Sequence, residues 1–310
     1  MIMNQMLGVK LYDPLFCDGK NLDLLQEVGV NTVFLGRNAL VPAFVDNLKK
    51  RGMFCNIVEP VFLLDENDPH QLAVLKDGKP AHDDWVRFAC PSDSQRLDQV
   101  RERILADIDA FDPNGVSLDF MRFFQFWEMT DPSAKSEDLP ESCFCDRCRE
   151  KMSAFASVAD WRQSVITDTA RFLSSDIRAR KPGIKVGIHC VPWKLDMFDG
   201  SIRTKIGQNF TELSKIGDYL TPMIYHHMMH LEPSYVRSFM QDMARQDCRH
   251  IVPSVQVIQA YREEKMGIRE FEEALDLALE SPSEGAVLYK WEDLVADPER
   301  MEIVRSRFKG

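Results

Sequence analysis

Eight short runs rich in Val, Ile, Leu, Phe and Tyr recur along the chain, each followed by a longer stretch of helical periodicity. No other feature constrains the fold as strongly. The runs occupy residues 7–11, 32–35, 53–58, 115–120, 185–189, 219–225, 251–257 and 285–289. Continuous apolar runs of this length suit parallel strands buried on both faces. The helical stretches between and after them cover 21–28, 39–51, 94–111, 151–180, 204–216, 233–246, 269–280 and 298–308. Lys181-Pro182-Gly183 ends the fourth, since Pro cannot continue a helix and Gly supplies the turn. Ser94 is placed to N-cap the third. In 269–280, Phe271, Leu275 and Leu279 share one face while Glu273, Asp276 and Glu280 turn away from it. No Gly/Ser-rich or Pro-rich linker divides the sequence. Eight strand–helix alternations without a linker predict one α/β domain over residues 1–310, a single (β/α)8 (TIM) barrel rather than an open sheet.

That prediction locates any chemistry, because such barrels build their sites from loops at the C-terminal ends of the strands. The strand-end candidates are Tyr12, Asp13, Arg37, Asn38, Glu59, Asp119, Arg122, His189, Trp193, Tyr225, His226, Gln256, Lys290, Trp291 and Glu292. Two connections are long, about 31 residues at 63–93 after strand three and about 30 at 122–151 after strand four. Loops of that length in a compact domain usually carry function.

Charge narrows the partners. Acidic residues outnumber basic ones, 49 to 38, leaving a net charge of −11, and the longest basic run is Lys49-Lys50-Arg51. A phosphate backbone would be repelled by the average surface, so nucleic acid is not an expected partner. No apolar run approaches the length of a membrane span, and the first residues, Met-Ile-Met-Asn-Gln-Met, lack a basic segment and an apolar core of the signal-peptide kind. The expectation is a cytoplasmic protein without membrane attachment. Oligomeric state is not legible in the sequence.

Eight cysteines in 310 residues are too few for a disulfide scaffold, but three of them form Cys143-x-Cys145-x-x-Cys148 among charged neighbours. Tetrahedral zinc needs a fourth ligand, and Cys90 lies in the loop that a barrel would place next door. The expected cofactor is a structural zinc ion clipping the region around 64–150, with no organic cofactor. Four sulfur ligands would close the coordination sphere and leave no position for a catalytic water. Cys17, Cys55, Cys190 and Cys248 fall in or near strands and read as small core residues.

Cys90 followed by C-x-C-x-x-C after strand four resembles the zinc site of glycoside hydrolase family 42 β-galactosidases. That family carries its acid in an Asn-Glu pair after strand four and its nucleophilic Glu on strand seven. Here strand four ends Gly-Val-Ser-Leu-Asp119-Phe-Met-Arg122 and strand seven reads Pro-Ser-Val-Gln256-Val, so the clip matches and the catalytic pair does not. The strand-four motif more closely resembles the G-[IV]-x-L-D-[FY]-x-R of glycoside-hydrolase-like barrels of poorly defined substrate. Pro222-Met-Ile-Tyr225 on strand six also recurs in them. The resemblance implies a glycosidase of unspecified substrate whose strand-four Asp faces the site.

Glycoside hydrolysis needs two carboxyls flanking an oxocarbenium-like transition state. Asp119 is the first, with Arg122 three residues later placed either to hold it ionised or to pair with it structurally. The second is open among Glu292, Glu59, Glu128 and an Asp not singled out, with Glu292 and Glu59 favoured. Any of the three glutamates that packed against an indole would have its pKa raised toward general-acid use. Trp193, Tyr225, Trp291, Trp127 and Tyr12 can offer ring faces to sugar C–H groups, and Arg122 and His226 are polar substrate-binding candidates. His227 and His230 read as ordinary rim residues.

Three other readings compete. An amidohydrolase-type metal barrel would open with H-x-H, where strand one ends Lys10-Leu11-Tyr12-Asp13-Pro14. A phosphate-binding barrel needs Gly-rich turns after strands seven and eight, whereas the nearest Gly-containing stretch, 281–285, precedes strand eight. A carbohydrate-binding pseudoenzyme would keep barrel, clip and aromatic cleft without turnover.

Overall fold

A computed structural model describes residues 5–309. Its main sheet has eight parallel strands: β1 (Met6–Leu11), β2 (Thr32–Leu35), β3 (Phe54–Pro60), β4 (Gly115–Asp119), β5 (Lys185–Cys190), β6 (Tyr219–Pro222), β7 (Ser254–Gln256) and β8 (Gly285–Tyr289). Neighbours in sequence are neighbours in space, and β8 returns to pair with β1. The ring closes between β6 and β7 through the parallel bridges Leu220–Ile251 and Met223–Ser254. Helices follow the strands, as right-handed crossovers between parallel strands require. The predicted (β/α)8 barrel is the observed fold.

The barrel interior is sorted by level. Toward the start of the strands, Met6, Phe34, Val58, Tyr219, Val252 and Val287 form an apolar plug of their own. Tyr219 fits because its register partner on β5 is Gly187; a Cβ there would lie 2.4 Å from the phenol ring. The phenol oxygen donates to Asn56 Oδ1 at 3.1 Å and lies 2.9 Å from Ser117 Oγ, so the buried hydroxyl is satisfied. Two residues further along β4 and β5 come Asp119 and His189, where the interior turns polar and opens toward the loops. The main apolar core lies instead between the outer faces of the strands and the helices.

Several boundaries differ from the sequence reading, each for a local reason. The predicted strand 219–225 stops at Pro222 and the strand 251–257 begins only after Pro253, since proline has no N–H to give the ladder. The predicted helix 151–180 is two helices, Asp146–Met152 and Val158–Arg180; the second starts afresh because Ser157 Oγ accepts from the Asp160 N–H at 3.0 Å. The stretch 204–216 likewise splits into Ser201–Thr204 and Phe210–Ser214 around Gly207. That residue has φ of +82°, and a Cβ on it would lie 2.9 Å from the Arg162 carbonyl oxygen. The long loop after β3 carries a small antiparallel hairpin, His82–Asp83 with Val86–Arg87. Among the described residues no helix is long and apolar enough to cross a membrane.

Candidate active site

A cavity of about 550 Å³ opens at the C-terminal ends of the strands. Its floor comes from the strands. Asp119 ends β4 and is almost wholly buried, yet it lines this cavity. Its Oδ1 accepts from the Phe120 N–H at 2.7 Å, and its Oδ2 lies 3.0 Å from His189 Nδ1. That imidazole contact is close but not aligned for a hydrogen bond, so both ring nitrogens of His189 are left without a partner. Phe120 itself sits at φ of +48°, a conformation costly for an aromatic residue, which is the kind of strain that collects at functional sites.

Lys10, buried in the middle of the barrel on β1, also lines the cavity. Its Nζ donates to Tyr225 Oη at 3.2 Å, and that oxygen lies 3.2 Å from Ser254 Oγ. Burial pushes the lysine down to about 8, with the Asp119 charge opposing, so it is still mainly protonated at neutral pH. Burial pushes the Asp119 carboxyl up, but His189, Lys10 and the Phe120 N–H outweigh it and hold the group well below the ordinary carboxylate range. His189 is itself pushed down, by burial first and then by Lys10. His189, 3.0 Å away, and then Lys10 together keep Asp119 ionised.

A second carboxyl reaches the same cavity from a loop. Glu128 sits in a short turn, Trp127–Met129, after β4. Trp127 fixes that turn by burying its indole 5.9 Å from the Tyr225 ring. Glu128 Oε2 is buried without a partner, and burial raises the carboxyl to about 7 although Arg122 opposes the shift. Two carboxyls whose surroundings drive their protonation apart are the arrangement that acid–base chemistry uses. Much of the wall is aromatic: Tyr225 stacks on Tyr289 with centroids 5.0 Å apart, Tyr12 meets Tyr289 edge-on at 6.1 Å, and Trp85, Phe120 and Tyr261 also line it, beside the cations Arg37, Arg96, Arg103 and Lys290.

The other residues singled out in the sequence are dispersed. Glu59 does not line the cavity; its carboxylate is fully buried between Arg103 and Arg37, the latter at 3.0 Å. Glu292 ties a loop, its Oε1 accepting from the Tyr12 and Asp13 N–H groups at 2.7 Å each. Trp291 is buried with its indole N–H on Asn21 Oδ1 at 2.9 Å, and Trp193 is buried against Phe198 at 4.5 Å. His226 is buried with Nε2 3.1 Å from Glu270, beside a separate small surface cleft. Arg122 makes no ion pair with Asp119; its guanidinium lies 4.7 Å from the Phe88 ring and 5.4 Å from that of Phe120. Tyr12, Tyr225 and Asp119 are thus the residues of that set which meet at the cavity, together with Arg37, Asn38 and Lys290 from the wider strand-end group. Lys10, Trp85, Tyr261 and Tyr289 were not foreseen. Lys10 had no signal, since a lone lysine in a short strand reads as solvent-facing. Trp85 and Tyr261 stand in loops without periodicity.

The four cysteines do come together. Cys90, Cys143, Cys145 and Cys148 are all buried, with their sulfurs within 4.8 Å of one another. Cys90 Sγ is 3.6 Å from that of Cys145 and 3.4 Å from that of Cys148. Tetrahedral coordination with metal–sulfur bonds of about 2.3 Å would set sulfurs about 3.8 Å apart, so the group has the dimensions of a metal site. Hydrogen bonding to the Cys143 and Cys148 sulfurs, added to burial, pushes the Cys90 thiol far up. Four thiolates crowded together need a cation to coexist. The Val74 N–H donates to Cys143 Sγ at 3.3 Å, a backbone contact that fixes the direction of that sulfur. The same loops are clasped a second time by Asp93, 3.3 Å from His70 Nδ1 and 3.4 Å from Arg147 Nη1.

The sequence matches no family model and no curated protein. In three dimensions the chain is similar to the glycoside hydrolase domain of PgaB (BpsB) from Bordetella bronchiseptica. The TM-score is 0.69 at 14% identity, over 97% of this chain and 98% of that one. The fold is that of glycoside hydrolase barrels. The β-galactosidase of Rahnella sp. R3 is similar at a TM-score of 0.70 and 12% identity, over 99% of this chain and 56% of that one. That of the psychrophilic Marinomonas ef1 gives 0.69 at 8% identity, over 98% and 59%. This chain therefore spans a little over half the length of those β-galactosidases. At these identities the glycoside hydrolase likeness is one of fold.

Proposed function

We propose that the protein is a glycoside hydrolase acting on an oligosaccharide or glycoconjugate, with Asp119 and Glu128 as its carboxyl pair. The observation that carries this reading is that both groups line one cavity with aromatic walls, where their surroundings push Asp119 down and Glu128 up. Ionised Asp119 stabilises positive charge at the anomeric carbon, as nucleophile, or as base toward water. Protonated Glu128 delivers its proton to the departing glycosidic oxygen. Lys10 and His189 hold the first carboxylate, Trp127 holds the second, and neutral Tyr12, Tyr225 and Tyr289 offer ring surface and hydroxyls to the sugar. Zinc is the ion that best suits the four-cysteine group. It would be held by Cys90, Cys143, Cys145 and Cys148 as a fixed cross-link, since four thiolates complete a tetrahedral sphere.

The test is hydrolysis of a broad panel of aryl glycosides and natural oligosaccharides, with Asp119→Asn and Glu128→Gln run alongside. Turnover of one substrate class that both variants lose supports the pair and names the sugar. Turnover surviving Asp119→Asn would move the chemistry elsewhere. Sugar binding without turnover on any substrate would make the chain a carbohydrate-binding barrel.

A further inference from the structure

Most large apolar side chains of this protein are buried, and the exceptions are informative. Among the described residues the exposed ones are Leu15, Trp85, Met129, Phe155, Phe172 and Tyr261, and of these only Trp85 and Tyr261 line the cavity. They come from opposite sides of the barrel. Trp85 is at the tip of the hairpin in the loop after β3, and Tyr261 is in the loop after β7, four strands away. Both nevertheless reach the same ring, Phe126 of the loop after β4, edge-on at 5.9 Å and 5.6 Å. Trp85 is further braced by Phe120 at 6.1 Å. The two side chains remain 41% and 40% exposed although each packs roughly at right angles on Phe126.

A braced, exposed indole and phenol at the mouth of a polar-floored cavity offer flat apolar surface with an N–H and an O–H at the edge. The ring of a pyranose presents the complement, an apolar C–H face with hydroxyls around it. We propose that Trp85 and Tyr261 form a subsite for a second sugar unit, outside the one held over Asp119 and Glu128, so that the protein takes carbohydrate chains rather than single sugars. This inference rests on the glycoside hydrolase reading of the cavity.

Trp127, Trp161, Trp193 and Trp291 are fully buried, so collisional quenching of tryptophan fluorescence by acrylamide reports on Trp85. The experiment uses the full-length Asp119→Asn protein, in which chains stay intact. The probes are hexasaccharides of glucose, galactose, xylose and N-acetylglucosamine, each beside its own monosaccharide. At least one hexasaccharide is expected to shield Trp85 while its monosaccharide does not, and Tyr261→Ala is expected to weaken that hexasaccharide roughly tenfold by calorimetry. A hexasaccharide that binds, or that the wild-type protein hydrolyses, while Trp85 stays as quenchable as in the free protein overturns the subsite. So does a panel in which no chain shields it. Shielding without turnover by the wild-type protein sustains the subsite and defeats the hydrolase reading, so the two failures are distinguishable.

Discussion

The floor and the rim of the cavity are built on different principles. Lys10, Asp119 and His189 stand on barrel strands, where register between neighbours fixes each side chain and burial sets its charge. Glu128, Trp85 and Tyr261 stand on loops, which have no ladder to hold them. Two of those loops are joined instead by the four-cysteine group. Cys90 lies five residues after Trp85, and Cys143 begins the cluster fifteen residues after Glu128. Strand order therefore makes the charged centre, while Glu128 and Trp85 come from the two loops that meet at the four-cysteine group.

The largest expected effect breaks the chemistry across both regions. Asp119→Asn and Glu128→Gln should each lower kcat/KM by roughly 10³-fold with little change in thermal stability, measured on whichever substrate the panel identifies. The pH dependence sharpens the distinction. Glu128 titrates at about 7, above the ordinary glutamate value, so its acid form is present below pH 7 and activity should fall as pH rises through that point. Asp119 is held low, so only the acidic side of the profile reports on it. A profile of kcat/KM without an alkaline limb near 7 would remove Glu128 as the acid.

Next comes a change that touches stability alone. The fully buried Glu59 carboxylate accepts charge-assisted hydrogen bonds from Arg37 and Arg103, so Glu59→Gln weakens both and should cost about 3 kcal/mol, read by urea unfolding. Turnover per folded molecule should change less than about threefold, within the range of a minor repositioning. Loss of turnover without loss of stability would return Glu59 to the catalytic candidates.

Stripping metal from the cysteine group should cost less, about 2 kcal/mol and roughly 5 °C in Tm, and should act on one region only. Hydrogen exchange is expected to rise in residues 63–93 and 122–151 while β1 to β8 stay protected. Uniform loosening of the barrel would show that the group supports the floor as well.

The smallest effect isolates one charge. Lys10→Met should lower kcat/KM about tenfold and move the acidic limb of the profile upward, because Asp119 loses one of the groups that keep it ionised. An unmoved limb would leave that role to His189.

By itself the amino-acid sequence determined the barrel, because eight apolar runs separated by amphipathic stretches have few other ways to bury their surfaces. It also brought out Asp119, a lone carboxylate closing an apolar strand, and the cysteine spacing, since both are local patterns. It named Glu128 only as one of several glutamates beside an aromatic residue or at a strand end. Only the tertiary structure separates them: Glu128 lines the cavity, while Glu59 meets arginines and Glu292 meets backbone N–H groups. It alone brought Lys10 within electrostatic reach of Asp119, and Trp85 and Tyr261 to one ring from opposite loops. The physical reason is range. Periodicity and ligand spacing act over a few residues, whereas a carboxyl's protonation and the exposure of an indole depend on neighbours tens to hundreds of residues away.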